Sequence, residues 1–337
     1  MQFDSGTEYL ATFIAFIVSF VVAIVAVPPL IRKMREGNMV GGDVNKPGRP
    51  EVPELGGIAA VFAFSISISL MVGVIKLLGN VYEPPFLAVI SVFFIASMIG
   101  LIDDVSKISQ RMKAVALIFA SFPLMLVHFG SEHIALPFRI FIDVPYYVYW
   151  LVLIPVGITG GGNAVNMSAG YNGLESGQIV VITSFLLLIV ALRNPTSYAL
   201  PIFASLLGCS LALFHFNRYP ARIFVGDIGT LGMGAAVAAG VIIGDIEFFG
   251  AIALLPAFYE IAATTYYIIV GNHDRREACH NPMIGPQGRL SPPQGSERYT
   301  LAYLLLSIKP MTERRLVAVI LGLYAASGVI ALVLSVI

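Results

Sequence analysis

Four short stretches of this chain carry the residue types that metal and phosphate chemistry requires. The first is Gly100-Leu-Ile-Asp103-Asp104-Val-Ser-Lys107-Ile-Ser-Gln-Arg111-Met-Lys113, where two adjacent carboxylates precede three cations. Such a set can hold a divalent cation and a phosphate together. Hard oxygen ligands suit Mg²⁺ or Mn²⁺, which keep several waters and bind phosphate oxygens beside one or two carboxylates. Taken alone, an Asp-Asp pair at this place reads as a solvated helix end, so the company of other segments decides.

The second stretch, 160–178, is rich in glycine and has no basic residue. It contains Asn163, Asn166, Asn172 and Glu175. Asn163 and Asn166 are three apart and would share a helix face. The glycines permit close backbone approach to a ligand, or else form a helix end and an ordinary turn. The third stretch ends in Phe224-Val-Gly-Asp227 against the start of an apolar run. Asp227 is therefore either a helix cap, accepting backbone N–H bonds at the positive end of the dipole, or a ligand. The fourth, His273-Asp274-Arg275-Arg276-Glu277-Ala-Cys279-His280, sets two guanidiniums beside two imidazoles. Arginine grips phosphate oxygens in a fork, although a basic loop beside a membrane is also an orientation signal.

The elements that must position these groups are membrane helices. Of 337 residues, 57% are hydrophobic and 12% charged, with a mean hydropathy of +0.85, far from the composition of soluble domains. A soluble enzyme is excluded. The net charge is zero, so no overall field draws nucleic acid. Cys209 and Cys279 are too few and too differently placed for a disulfide framework.

Ten apolar runs occur at about 8–30, 55–75, 86–102, 114–129, 146–159, 179–192, 197–216, 229–244, 248–271 and 316–337. They predict a single all-α, polytopic membrane domain of about ten transmembrane helices over 1–337. The loops after runs one, three, five, seven and nine hold 17 of the 20 Lys and Arg residues. By the positive-inside rule those loops face the cytoplasm and both termini face away from it. All four polar stretches then lie on the cytoplasmic side. Glu260, four residues after Pro256, is nearly alone as a charge inside a run. It is either a functional group or a carboxyl that joins two helices. An anion transporter would need polar residues within several helices, and no repeat supports that reading.

Together these segments resemble the polyprenyl-phosphate N-acetylhexosamine-1-phosphate transferase family of membrane enzymes. The likeness rests on Asn45-Lys46-Pro47 leading to Pro53-Glu54-Leu55-Gly56-Gly57, on Asp103-Asp104 with Lys113, on Asn163-Ala-Val-Asn166 with Asn172-Gly-Leu-Glu175, and on Phe224-Val-Gly-Asp227. Bacterial members resemble one another in two aspartates where this chain has Ala169 and Asn172, so the Asn-Gly-Leu-Glu form looks eukaryotic-like or archaeal.

The resemblance implies transfer of GlcNAc-1-phosphate from UDP-GlcNAc to a polyprenyl or dolichyl phosphate in the bilayer, with release of UMP. The same chemistry on another UDP-N-acetylhexosamine is the alternative. It implies Mg²⁺ (or Mn²⁺) on Asn166 and Asp227, and Asp103, Asp104 and Lys113 as the catalytic, charge- and proton-handling group. Lys46, Glu54, Asn163, Asn172, Glu175, Arg275, Arg276 and His280 become substrate-binding residues, with the uridine beside Asn172. It is compatible with a homodimer, and with the cell membrane of an archaeal-type prokaryote or the endoplasmic reticulum of a eukaryote.

Overall fold

The structure is a computed structural model that describes residues 6–79, 81–106, 108–270, 279 and 281–337. Eight helices among these residues are long and apolar enough to cross a membrane. They are α1 (Thr7–Glu36), α2 (Gly57–Leu78), α3 (Pro84–Ser106), α6 (Tyr146–Met167), α7 (Leu174–Arg193), α8 (Ala199–Asn217), α9 (Gly226–Ile243) and α13 (Glu313–Val336). The chain is an integral membrane protein.

Two of the ten apolar runs are broken and not single continuous helices. The fourth forms two short helices, α4 (Gln110–Phe119) and α5 (Phe122–Val127), with Pro123 in the first turn of α5. Proline is tolerated at a helix start and breaks a helix interior. The ninth forms α10 (Glu247–Ala253) and α11 (Leu255–Ile269), bent by 77° at the junction. Pro256 again sits in the first turn after the break.

The fifth run extends further than its hydropathy indicates. Gly160, Gly161 and Gly162 are neither a ligand-binding loop nor a helix end, because α6 continues through them to Met167. Gly161 and Gly162 are where the backbone of α6 meets α9. A Cβ on Gly161 would lie 2.8 Å from the Gly234 carbonyl oxygen, and one on Gly234 would lie 2.4 Å from that of Gly161.

Helix α9 is the centre of the bundle, with 89% of its apolar window buried. Its Gly- and Ala-rich sequence lets neighbouring backbones come close, as small residues do between membrane helices. A Cβ on Gly57 of α2 would fall 2.3 Å from the Cα of Gly229, and one on Gly100 of α3 would fall 2.3 Å from the Asp227 carbonyl oxygen. The segment before α2 is fastened to the segment before α9. Gly56 and Gly57 donate N–H bonds to the carbonyls of Phe224 and Val225, and Phe224 donates to that of Pro53.

Among the described residues, short strands occur only in the connections. β1 (Val40–Gly42) pairs with β2 (Glu51–Pro53), β3 (His133–Ala135) with β4 (Phe141–Asp143), and β6 (Arg289–Ser291) with both β5 (Met283–Ile284) and β7 (Met311–Thr312), all antiparallel. The last connection also holds a short helix, α12 (Leu301–Ile308).

The connections gather at two ends of the bundle. At one end, Tyr82 donates its N–H to Tyr198, Tyr149 bonds Glu247, and Arg193 donates to the Ser335 carbonyl. Two cavities of about 560 and 420 Å³ lie there and share Asn194 and Asp245. Burial pushes the Asp245 carboxyl up to about 6. The other end holds Lys46, Asn172, Ala221 and Glu313 in one hydrogen-bonded group, beside Lys113 and Asp227. The connections following the odd-numbered runs thus meet at one end, and those following the even-numbered runs at the other.

Candidate active site

Lys113 is the hub of the second end. Its ammonium donates to Asp103 Oδ2 at 2.7 Å and Asp227 Oδ2 at 2.6 Å, and lies 3.4 Å from Asn166 Oδ1. Four elements deliver these groups: the last turn of α3, the first turn of α4, the last turn of α6 and the first turn of α9. α3 stops at Ser106 and Ser109 caps α4, its hydroxyl accepting the N–H of Met112. That break lets Lys113, ten residues on, fold back over Asp103. The ammonium is nearly inaccessible at 3% exposure, whereas the Asp227 side chain is 28% exposed and opens the cluster to solvent.

Asn166 completes the group by donating its amide hydrogens to Asp227 Oδ1 at 2.7 Å and Thr230 Oγ1 at 2.8 Å. Two carboxylates, one amide and one ammonium therefore share a single polar pocket.

Asp104 lies one residue from Asp103 and faces elsewhere, since adjacent residues on a helix do not share a face. Its oxygens accept the N–H groups of Asp227 at 2.9 Å and Ile228 at 3.0 Å. The cap of α9 is therefore Asp104, supplied from another helix, and the side chain of Asp227 is left for the pocket. Gly226, at φ +75°, makes the left-handed turn this requires, and a Cβ there would fall 2.9 Å from Asp104 Oδ2. Glu175 acts on the same segment, its Oε2 accepting the Val225 N–H at 3.2 Å.

A second network lies beside the first. Asn172 accepts from Lys46 Nζ at 2.6 Å and from the Ala221 N–H at 2.7 Å, and it donates to Asp43 at 3.1 Å. Lys46 is also paired with Asp43, lies 3.4 Å from Glu313 Oε2, and sits over the Tyr219 ring. The ammonium is thereby enclosed by two carboxylates, an amide oxygen and a ring. Glu54 lies against β1, where a Cβ on Gly41 would overlap its carboxylate at 2.0 Å. Asn163 joins neither network, because its amide donates back to the Thr159 carbonyl of its own helix at 2.9 Å. Burial raises the Tyr171 phenol well above its ordinary pKa, so it stays neutral.

Arg275, Arg276 and His280 lie outside the described residues, as does Lys107. Glu260 bridges two helices, its Oε1 accepting the Leu301 N–H at the start of α12 at 2.8 Å. Neither Cys209 nor Cys279 is disulfide-bonded.

Asp43, Thr230 and Glu313 escape a reading of the sequence. Glu313 precedes Arg314 and Arg315 at a helix start, where an acidic residue is ordinary. Only its contacts reveal it.

Among the described residues no three His, Cys, Asp or Glu side chains converge as a metal cage. The donor set around Lys113 nevertheless suits a hard cation, being oxygen only, without thiolate or imidazole. Asp103 Oδ1 is buried with no hydrogen-bond partner, an oxygen that a metal would satisfy.

The sequence pattern of glycosyl transferase family 4 matches residues 86–245, which include both aspartates of α3, Lys113, Asn166, Asn172, Glu175 and Asp227. A protein of Saccharolobus solfataricus, provisionally named a UDP-N-acetylglucosamine–dolichyl-phosphate N-acetylglucosaminephosphotransferase, is 30% identical over 97% of each chain. One of Methanocaldococcus jannaschii, provisionally named a glycosyltransferase, is 30% identical over 98% of this chain and 99% of its own. A phospho-N-acetylmuramoyl-pentapeptide-transferase of Clostridium perfringens strain 13 is 30% identical over 66% of this chain and 73% of its own. This end-to-end similarity, with the cluster around Lys113 inside the matched segment, places the chain in glycosyl transferase family 4.

Proposed function

We propose that the protein transfers GlcNAc-1-phosphate from UDP-GlcNAc to a polyprenyl phosphate of the dolichyl type. A lipid-phosphate oxygen attacks the β-phosphorus of the donor, the bond from that phosphorus to the UMP oxygen breaks, and a lipid-linked sugar pyrophosphate remains. The observation that carries this reading is the buried Lys113 ammonium shared by Asp103 and Asp227 at one end of a membrane bundle. Phosphoryl transfer asks a protein chiefly for positioning and charge neutralisation, and that cluster supplies fixed charges of both signs.

Each residue then has a role. Lys113 turns from its carboxylates to the incoming pyrophosphate. Asp103 and Asp227 hold the ammonium in place until then, and Asn166 fixes Asp227. A lipid phosphate with a second pKa of about 6 is largely dianionic at neutral pH, so proton removal is not the difficulty. Asp227, Asn166 and Asp103 Oδ1 would hold Mg²⁺ or Mn²⁺. Such a cation supplies neutralisation of the charge gathering between the two phosphates. The 17 basic residues on one set of connections support a cytoplasmic catalytic end, in the cell membrane of a prokaryote.

The same chemistry on a UDP-muramoyl peptide is the second reading, favoured by the name of the bacterial relative. That relative matches only 66% of this chain, whereas the archaeal proteins match nearly all of it.

The test is reconstitution. Purified protein, labelled UDP-GlcNAc and dolichyl phosphate should give organic-soluble label with UMP as the other product, no turnover in EDTA, and recovery with Mg²⁺ or Mn²⁺. Release of UDP in place of UMP would mean that the sugar–oxygen bond breaks, and would refute the proposal. Full turnover in EDTA by protein stripped of metal would remove the cation from it.

A further inference from the structure

We propose that Glu313, the first residue of the last helix, acts with Asp43 as a positioning residue for the nucleotide end of the donor, through Asn172. The inference rests on the reading that the donor is a uridine nucleotide.

Asn172 is 4% exposed, and its hydrogen-bonding capacity is almost used up. A side-chain amide has two acceptor sites and two donor hydrogens. Both acceptor sites of Oδ1 are filled, by Lys46 Nζ and the Ala221 N–H, and one hydrogen of Nδ2 goes to Asp43 Oδ2. The amide cannot flip. Reversed, it would set its NH₂ against an ammonium and a backbone N–H, and its carbonyl against a carboxylate. What Asn172 retains is a single N–H in one direction. A group that can only donate suits a carbonyl oxygen, such as either oxygen of uracil, and rejects an amino group at the same place.

Glu313 fixes that direction. Its Oε1 accepts the backbone N–H of Asn172 at 2.8 Å and the Asn45 amide at 3.2 Å, and its Oε2 faces Lys46 at 3.4 Å. Asn45 also donates to the Gly170 carbonyl at 2.7 Å, so the 170–172 backbone is held at both ends. Asp43 holds the other side of the amide and pairs with the same Lys46. Asn172 lies six residues beyond Asn166 and Ala221 six before Asp227. The framework around Glu313 thereby joins the two segments that form the reaction cluster, while Glu313 itself touches none of the groups around Lys113.

The experiment compares full-length wild type, Glu313→Gln, Glu313→Ala and Asp43→Asn in one detergent. The KM for UDP-GlcNAc and the inhibition constant of UMP should rise together by about tenfold, equivalent to about 1.4 kcal/mol. The KM for dolichyl phosphate should stay put and kcat should change by less than about threefold. Glu313→Gln, which keeps an acceptor for Asn172, should lose less than Glu313→Ala. If the alanine variant does not fold, the other two carry the comparison.

A merely structural role would lower Tm and apparent kcat and leave the UMP constant unchanged. That outcome, or equal loss toward both substrates, overturns the proposal. Stabilisation by UMP separates it from the functional reading. If wild type transfers no sugar phosphate yet UMP raises its Tm and not that of Glu313→Gln, the transferase reading fails and the positioning role stands. If UMP does not raise the Tm of wild type, the positioning role is overturned as well.

Discussion

Asp104 and Asp227 stand on different helices, and the first caps the helix of the second: both oxygens of Asp104 take backbone N–H groups, one of them that of Asp227 itself. The two carboxylates therefore have separable functions. Asp227→Asn should keep the cap, hold Tm close to wild type and abolish transfer. Asp104→Ala should lower stability by about 0.5–2 kcal/mol, the usual range for a lost cap, and reduce activity through displacement of Asp227. Thermal unfolding beside turnover checks this. Near-normal activity in Asp227→Asn would reduce Asp227 to a framework residue.

Lys113 neutralises two carboxylates in a buried place. Removing one partner from a buried ion group typically destabilises by about 3–5 kcal/mol, so Lys113→Ala should lose both stability and, by orders of magnitude, turnover. Lys113→Ala/Asp103→Asn should recover part of the stability and none of the turnover. Comparison of Tm and initial rates for the single and double variants tests this. An active Lys113→Ala would sink the assigned hub.

The glycine run of α6 gives a graded test. A Cβ on Gly160 meets nothing within 4 Å, while on Gly161 it meets the Gly234 carbonyl oxygen at 2.8 Å. Gly160→Ala should be neutral or stabilising by up to about 1 kcal/mol from helix propensity. Gly161→Ala and Gly234→Ala should lower Tm and the yield of folded protein. Loss of donor binding in Gly160→Ala at unchanged Tm would restore the ligand-loop reading of these glycines.

Asp245 sets a pH dependence at the far end of the bundle. Its carboxyl titrates at about 6 against an ordinary 3.8, because burial favours the neutral form. Between those values the folded state holds a proton that the unfolded state releases, so this contribution to stability is complete below about pH 4 and is lost as pH rises through about 6. Asp245→Asn, an amide that also tolerates the residue's positive φ of 52°, should be insensitive over that window. The Tm of wild type minus that of Asp245→Asn should decline from pH 4 to pH 6 and then level off. A flat difference would show that the carboxyl titrates normally.

The sequence alone carried the membrane class and the residues that meet around Lys113. Those features are local: hydropathy marks a span, basic loops mark a side, and the motifs around Asp103, Asn166, Asn172 and Asp227 are contiguous. The breaks before Pro123 and Pro256, which hydropathy does not mark, come from a missing N–H and a fixed φ. Which carboxylate does what was decided only by tertiary structure. Asp103 and Asp104 are indistinguishable as letters, but about 100° of rotation along α3 sends one to Lys113 and the other to the end of α9. Asp227, cap or ligand by its position in the sequence, is relieved of capping because another helix provides the cap. Lys46, a cation in a motif, is bound by Asp43 and by Glu313, which lies 267 residues further along. Hydrogen bonds across such separations leave no periodic or compositional trace, because each partner satisfies only a distance in the folded chain.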